Sequence, residues 1–358
     1  MKINKKCKGC GQYLSTDFND ITYVEKITEK TVYCKRCFQL INYKIIDNSK
    51  INNQQIQNEL LKLDLKNNAV IMVVDLFDLH NSLIKEIALK DVDIVINKLS
   101  ALPTKFKVKI TLEKIKNILK KHNFFYKNII LYDAVNKKNL RPIFELIKNN
   151  HQQKLKTYII GKTNVGKSSL INALLNLNKQ QSELLSVSPY SNTTISFNKI
   201  ILGKSVVIDT PGFINEQAII NYIEFSDINK INSTSKFVCS TYLIKKNTQV
   251  FFIEKLFYIY PISKNENGVI SVYKKQNLKI HKIKKDNIDI TINNNNLDLV
   301  GYKKEFNLFS KKEINLDSRK KYNLFINGIA LISLKNINKI TIGYSKFIDI
   351  QITDEALI

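Results

Sequence analysis

Residues 161–168, Gly-Lys-Thr-Asn-Val-Gly-Lys-Ser, constrain this chain more than any other stretch. They fit the pattern Gly, four residues, Gly-Lys-Ser, and they lie between the apolar run TYII (157–160) and the helix-like SLINALLNL (169–177). A strand, a glycine loop and a helix in that order separate a true phosphate-binding loop from a chance match. Gly161 and Gly166 let backbone N–H groups converge on a β-phosphate at a helix N-terminus. Lys167 can then reach β and γ oxygens, and Ser168 offers a hydroxyl to Mg²⁺. Val165 and Ser169 complete the expected nucleotide-contacting run. A loop of this kind needs an α/β sheet to carry it.

The surrounding pattern supplies that sheet. From 69 to about 225, short apolar runs (AVIMVVDL, VDIVI, NIILY, TYIIG, KIILG, SVVID) alternate with helical patterns such as ITLEKIKNILKKH and LRPIFELIKNN. Continuous apolar strands separated by helices predict a mostly parallel sheet with helices on both faces. After about 230 the texture changes to period-two alternation, as in VISVYKK, LKIHKIKK and YNLFINGIALISL, which predicts half-buried strands in a separate β-rich domain. The Asn-rich tract 287–298 reads as a loop or insertion, and the polar stretch 47–59 as a bridge between modules. The expected division is a zinc module at 1–46, a nucleotide-binding domain at 60–225 and a basic β-rich domain at 230–358.

Two further segments belong with the phosphate loop. VVIDTPG ends a strand on Asp209-Thr210-Pro211-Gly212, where the carboxylate can hold the Mg²⁺ shell and the Gly212 amide can sense a γ-phosphate. SNTTIS at 191–196 supplies Thr193 and Thr194 as candidates to complete that shell, and spacing to the next strand favours Thr194. Where a GTPase such as Ras places a water-orienting Gln, this chain has Phe213, so slow intrinsic turnover is expected. Asn164 either helps coordinate a monovalent cation bridging the phosphates or is a turn Asn.

The base-reading elements come earlier in the chain. DIVINKLSALP (93–103) runs a strand into Asn97-Lys98, with Ser100 two residues on, and LYDAVNKKNL places Asp133-Ala134 at a second base-contacting loop. The usual order of a G domain is therefore circularly permuted. Domain termini tend to lie close together, so a sheet can be cut and rejoined while its site stays assembled.

Cys7-x-x-Cys10 and Cys34-x-x-Cys37 are two tight pairs separated by 23 residues, a spacing that suits one structural Zn²⁺ bound by four thiolates. Binding energy would then stabilise a segment with little core of its own. Cys239 reads as a small buried strand residue. The four histidines are scattered and take no catalytic role.

Charge points to a polyanionic partner. Lys and Arg number 56 against 31 Asp plus Glu, a formal net charge of +25. The scarcity of Arg beside abundant Lys, Asn and Ile also fits compositional bias. Lys5, Lys6, Lys8, Lys35 and Arg36 in the first module, and Lys274, Lys275, Lys279, Lys282, Lys284 and Lys285 in the last, could follow an RNA backbone; solvated faces would look alike. No run approaches the ~20 apolar residues that span a bilayer, and the basic N-terminus lacks an apolar signal core. A cytoplasmic protein with no membrane and no DNA partner is expected.

CKGC with YCKRCFQLINY, VVDLFDLHNS, NKLSALP, GKTNVGKSSLIN, DTPGF, NLFINGIALIS and the closing DIQITDEALI together resemble the circularly permuted GTPases of the YqeH type over nearly the full length. The resemblance implies a GTP-hydrolysing factor for small ribosomal subunit assembly, with GTP/GDP, Mg²⁺, structural Zn²⁺ and a cation role for Asn164 filled by K⁺. Three departures stand out. Ser100 replaces the family's base-reading Asp, Asp133 replaces its Ser, and the 328–331 segment lacks its Trp. Losing a charged acceptor should cost roughly 2–4 kcal/mol of base discrimination. An RNA-binding scaffold with a degenerate nucleotide site, or an NTPase relaxed in its base preference, are the competing readings.

Overall fold

The computed structural model describes residues 5, 7, 13–17, 23–29, 31–34, 53–85, 91–99, 108–134, 136, 138–177, 198–213, 237–245, 247–254, 256–264, 266–276, 278–293, 309–326, 330–345 and 348–354. The chain forms two compact units, one of residues 1–99 and 125–215, the other of residues 100–124 and 216–358.

The first unit is built on a six-stranded sheet. Its strands are β1 (Ala69–Asp75), β2 (Asp93–Asn97), β3 (Ile129–Leu131), β4 (Thr157–Gly161), β5 (Asn198–Leu202) and β6 (Ser205–Asp209), arranged β3-β2-β1-β4-β6-β5. All neighbours pair parallel except β5 with β6, which form a hairpin. Gly203 opens that two-residue turn at φ +60, the conformation a II′-type hairpin demands at its first loop position. Strands β1, β2 and β4 are buried along nearly their whole length, which is why they read as unbroken apolar runs. Helices α4 (Leu140–Gln152) and α5 (Lys167–Leu177) pack Leu140, Ile143, Ile147, Leu170, Ile171 and Leu174 against Ile71, Val73, Val95, Ile159 and Val207.

Helix α1 (Asn53–Leu61) corrects the reading of 47–59 as a plain polar bridge: Ile56 and Leu60, four apart on one face, are buried despite the Asn and Gln around them. After β1 come a 3-10 turn (Leu76–Asp78) and the short α2 (Leu79–Ser82). The Asp75 carboxylate starts that turn by accepting from the Phe77 amide at 2.9 Å.

The second unit holds two antiparallel five-stranded sheets. One runs β16-β13-β14-β10-β7 and the other β11-β8-β9-β15-β12. The strands are β7 (Phe237–Ile244), β8 (Gln249–Ile253), β9 (Phe257–Ile262), β10 (Gly268–Lys275), β11 (Ile280–Lys284), β12 (Phe309–Asn315), β13 (Lys321–Ile326), β14 (Ala330–Lys335), β15 (Lys339–Ser345) and β16 (Ile350–Thr353). The Tyr242 and Phe251 rings, 4.8 Å apart at their centroids, join the sheets. Gly343 is required by packing, because a Cβ there would lie 1.8 Å from the ring of Tyr258 on the neighbouring strand.

Two differences from the sequence reading lie in this unit. Part of the Asn-rich tract is a short helix, α6 (Ile288–Asn293), since Ile288 and Ile292 pack against Val250, Phe252, Tyr258 and Tyr260. Cys239 is exposed, because it falls on the outward phase of β7 rather than on the core phase.

Helix α3 (Val108–Lys121) lies in the segment 100–124 that belongs to the second unit. Its last residue, Lys121, pairs with Asp354 at 2.7 Å, and Lys320 pairs with the same carboxylate at 3.0 Å. Among the described residues, no helix is long and apolar enough to cross a membrane.

Candidate functional site

The C-terminal ends of β1, β2, β4 and β6, and the turn after β3, carry the chemistry: Asp75, Asn97-Lys98, Gly161, Asp209 and Asp133-Ala134. Ligand sites of open α/β sheets form at that edge. The phosphate loop leaves β4 at Gly161, where a Cβ would meet Val165 Cγ2 and the Val73 carbonyl, each at 3.0 Å. Asn164 takes φ +66, a left-handed conformation that Asn tolerates, and Gly166 takes φ +96. Lys167 begins α5, with Ser168 and Ser169 half-buried in its first turn.

The base-side residues interlock with this loop. Asn97 Nδ2 donates to the Val165 carbonyl at 2.9 Å, and Asn97 Oδ1 accepts from the Ala134 amide at 3.1 Å. One side chain thus ties β2, the loop after β3 and the phosphate loop together. Lys98, at φ +74, forms an ion pair with Asp75. Asp75 carried no role in the sequence reading; a carboxylate closing a buried strand beside the Asn-Lys pair is the signal that could have found it. Asp133 is buried and accepts from Asn136, at 3.3 Å from the backbone amide and 2.7 Å from the side-chain amide.

On the metal side, Lys167 Nζ is bonded to Asp209 Oδ1 and to the Thr210 carbonyl. Asp209 is fully buried, and its Oδ2 has no hydrogen-bond partner among the described residues. A buried carboxylate oxygen left over in this way is what a Mg²⁺ shell needs, so the donor set fits the ion. Phosphate would compete with Asp209 for the ammonium, and a cation would compete with the ammonium for Asp209. Gly212 lies beside Thr163. Phe213 pairs with the phosphate loop through its backbone, its N–H donating to the Gly161 carbonyl at 3.2 Å and its carbonyl accepting from the Thr163 amide at 2.7 Å. Its ring is buried, so the residue in the place of a water-orienting Gln is an anchor for the segment after β6.

Ser100, Thr193, Thr194, Cys10 and Cys37 lie outside the described residues. Cys7 and Cys34, one from each pair, come together buried with Leu14 and Val24, and the Cys34 amide donates to Cys7 Sγ at 3.2 Å. An N–H pointed at sulfur is the partner a metal-bound thiolate takes, so these two residues fit a zinc site. Among the described residues no group of three or more metal-ligating side chains occurs.

Comparison with known proteins follows the same outline. Residues 83–218 match the family model described as RsgA GTPase, and residues 156–295 match that described as 50S ribosome-binding GTPase. The chain is 25% identical over 293 residues to the uncharacterized protein YqeH of Bacillus subtilis, covering 79% of each. It is 26% identical to GTPase Der of Borrelia garinii over 266 residues, 66% of this chain and 56% of that protein. A GDP-bound structure of TM YlqF is similar at 18% identity and TM-score 0.30, over 44% of this chain and 57% of that one. With the base-reading strand ahead of the phosphate loop in sequence and both at one edge of the same sheet, the chain has the fold of a circularly permuted P-loop GTPase and is similar to YqeH and to the RsgA and 50S ribosome-binding GTPase families.

Proposed function

We propose that the protein assists assembly of the small ribosomal subunit, and that its nucleotide state controls its grip on ribosomal RNA. The observation that carries the nucleotide half is the Asn97 side chain, which joins the base loop to the phosphate loop. In this reading Gly161 to Ser169 cradle the phosphates, Lys167 leaves Asp209 for β and γ oxygens, and Ser168 and Thr194 hold the magnesium with Asp209 behind them. The Gly212 amide senses the γ-phosphate. Bound Mg²⁺ supplies neutralisation of the charge that develops on the phosphate oxygens. Asn97, Lys98 and Ala134 hold the base.

Hydrolysis is slow in this account, because the Phe213 side chain is buried and presents no polar group to a water. Potassium stimulates it, with Asn164 placing the cation from its left-handed loop position. Cys7, Cys10, Cys34 and Cys37 hold one structural zinc. The lysines of the β-rich unit follow RNA phosphates, among them the exposed Lys279, Lys282, Lys284 and Lys285. A second reading has support of its own: the family model matched by 156–295 is described as binding the 50S ribosome.

The test is cosedimentation of the protein with separated small and large subunits in GDP and in a non-hydrolysable GTP analogue. Nucleotide-dependent binding to the small subunit supports the proposal. Binding to the large subunit alone favours the second reading, and equal binding in both nucleotide states removes the nucleotide control.

A further inference from the structure

Asp75 and Asn97 are partners in the parallel ladder, each closing its own strand at the site edge of the sheet. Asn97 spends its side chain on the Val165 carbonyl and the Ala134 amide, and the next residue, Lys98, forms its ion pair with Asp75. The two carboxylate oxygens of Asp75 have separate partners. Oδ1 accepts from the Phe77 amide at 2.9 Å and starts the 3-10 turn, whereas Oδ2 takes the Lys98 ammonium. The Asp75 N–H donates to Oγ of the buried Ser82 at 3.0 Å, which ties the same residue to α2. The carboxylate is thus anchored by the fold on one side and aimed at the base-reading loop on the other.

We infer that Asp75 is a positioning residue for guanine-nucleotide binding, which acts by holding Lys98 on the base side of the site. Lys98 takes φ +74, a conformation that a residue other than glycine keeps only where its surroundings hold it. A lysine side chain also loses much rotamer freedom when it is fixed. The pair with Asp75 is made by protein groups alone, so that ordering is not charged to the nucleotide when it binds. Exposure differs between the partners: the Asp75 side chain is buried, while that of Lys98 is 32% exposed and keeps part of its surface for a ligand. The separate partners of the two oxygens also let this role be removed by itself. In Asp75→Asn the amide oxygen can still accept from the Phe77 N–H, but the NH₂ group placed toward Lys98 has no lone pair to offer the ammonium.

This inference rests on the guanine-nucleotide reading and deepens it by naming what orders the base reader. The experiment is competition of GDP and ADP against a fluorescent GDP analogue on the full chain with Mg²⁺, in wild type, Asp75→Asn, Lys98→Met and the double variant. Asp75→Asn is expected to lower the GDP to ADP affinity ratio about tenfold, and the same substitution made in Lys98→Met to change it by less than about twofold. Both nucleotides use the phosphate loop and the ratio is read within one preparation, so partial misfolding leaves it intact. An equal fall in the two backgrounds overturns the assignment, because Asp75 would then act on the site without Lys98. An unchanged ratio in Asp75→Asn overturns it as well, and in both cases the guanine reading stands. A wild type that binds ADP as well as GDP overturns the guanine reading and the assignment with it.

Discussion

Asn97 leaves no room for a side chain at Gly166: a Cβ there would stand 2.0 Å from Asn97 Nδ2. The base reader and the phosphate loop are therefore in direct contact, and Gly166 is demanded twice, by that approach and by its φ of +96. Gly166→Ala should strain the loop by about 1–3 kcal/mol and push Asn97 away from the Val165 carbonyl. The expected result is a loss of GDP affinity of at least about tenfold, read by titration with a fluorescent analogue. Hydrogen exchange in β7 to β16 should not change.

The buried pair of Lys167 and Asp209 gives the second expectation. Lys167→Ala leaves the Asp209 carboxylate fully buried without its cation, a change that costs about 3–5 kcal/mol in comparable pairs. Amide exchange in β4 and β6 should accelerate accordingly. Replacing both partners, with Lys167→Met and Asp209→Asn, should recover most of the protection although neither variant binds nucleotide well.

Asp354 joins Lys121 of α3 to Lys320 beside β13, and those two lysines hold its carboxyl down at about 2. A depressed carboxylate stabilises the fold above its unfolded value near 4 and stops doing so as pH falls toward 2. Both pairs are partly exposed, so each contributes only about 0.2–1 kcal/mol. Asp354→Asn should accordingly increase exchange in α3 modestly at pH 7, and the difference from wild type should vanish near pH 2.

The paired Cys7 and Cys34 predict a metal dependence confined to the N-terminal segment. One zinc per chain is expected by elemental analysis, lost in Cys7→Ser and in Cys34→Ser. Chelation should raise exchange across residues 5–34 and leave β1 to β6 protected.

How far these relationships were legible in the sequence depends on their range. Strands β1, β2 and β4 were readable because burial on both faces turns them into unbroken apolar runs, and the phosphate loop because its glycines are set by local geometry. Helix α6 was not, since Ile288 and Ile292 gain their helical sense only from the sheet beneath them. Nor was the outward phase of Cys239, because a one-residue change of register along β7 inverts burial. The Lys98–Asp75 pair joins residues 23 positions apart, and periodicity carries no information about such a contact. The placement of α3 with the second unit is of the same kind: its amphipathic pattern fixes a buried face but not what covers it.

The central claim, that this site hydrolyses GTP, is tested most directly by phosphate release from GTP and from ATP under single-turnover conditions with Mg²⁺ and K⁺. The account predicts slow release from GTP, far slower release from ATP, and neither in Lys167→Ala. Equal release from ATP, or release from GTP that survives Lys167→Ala, would contradict it.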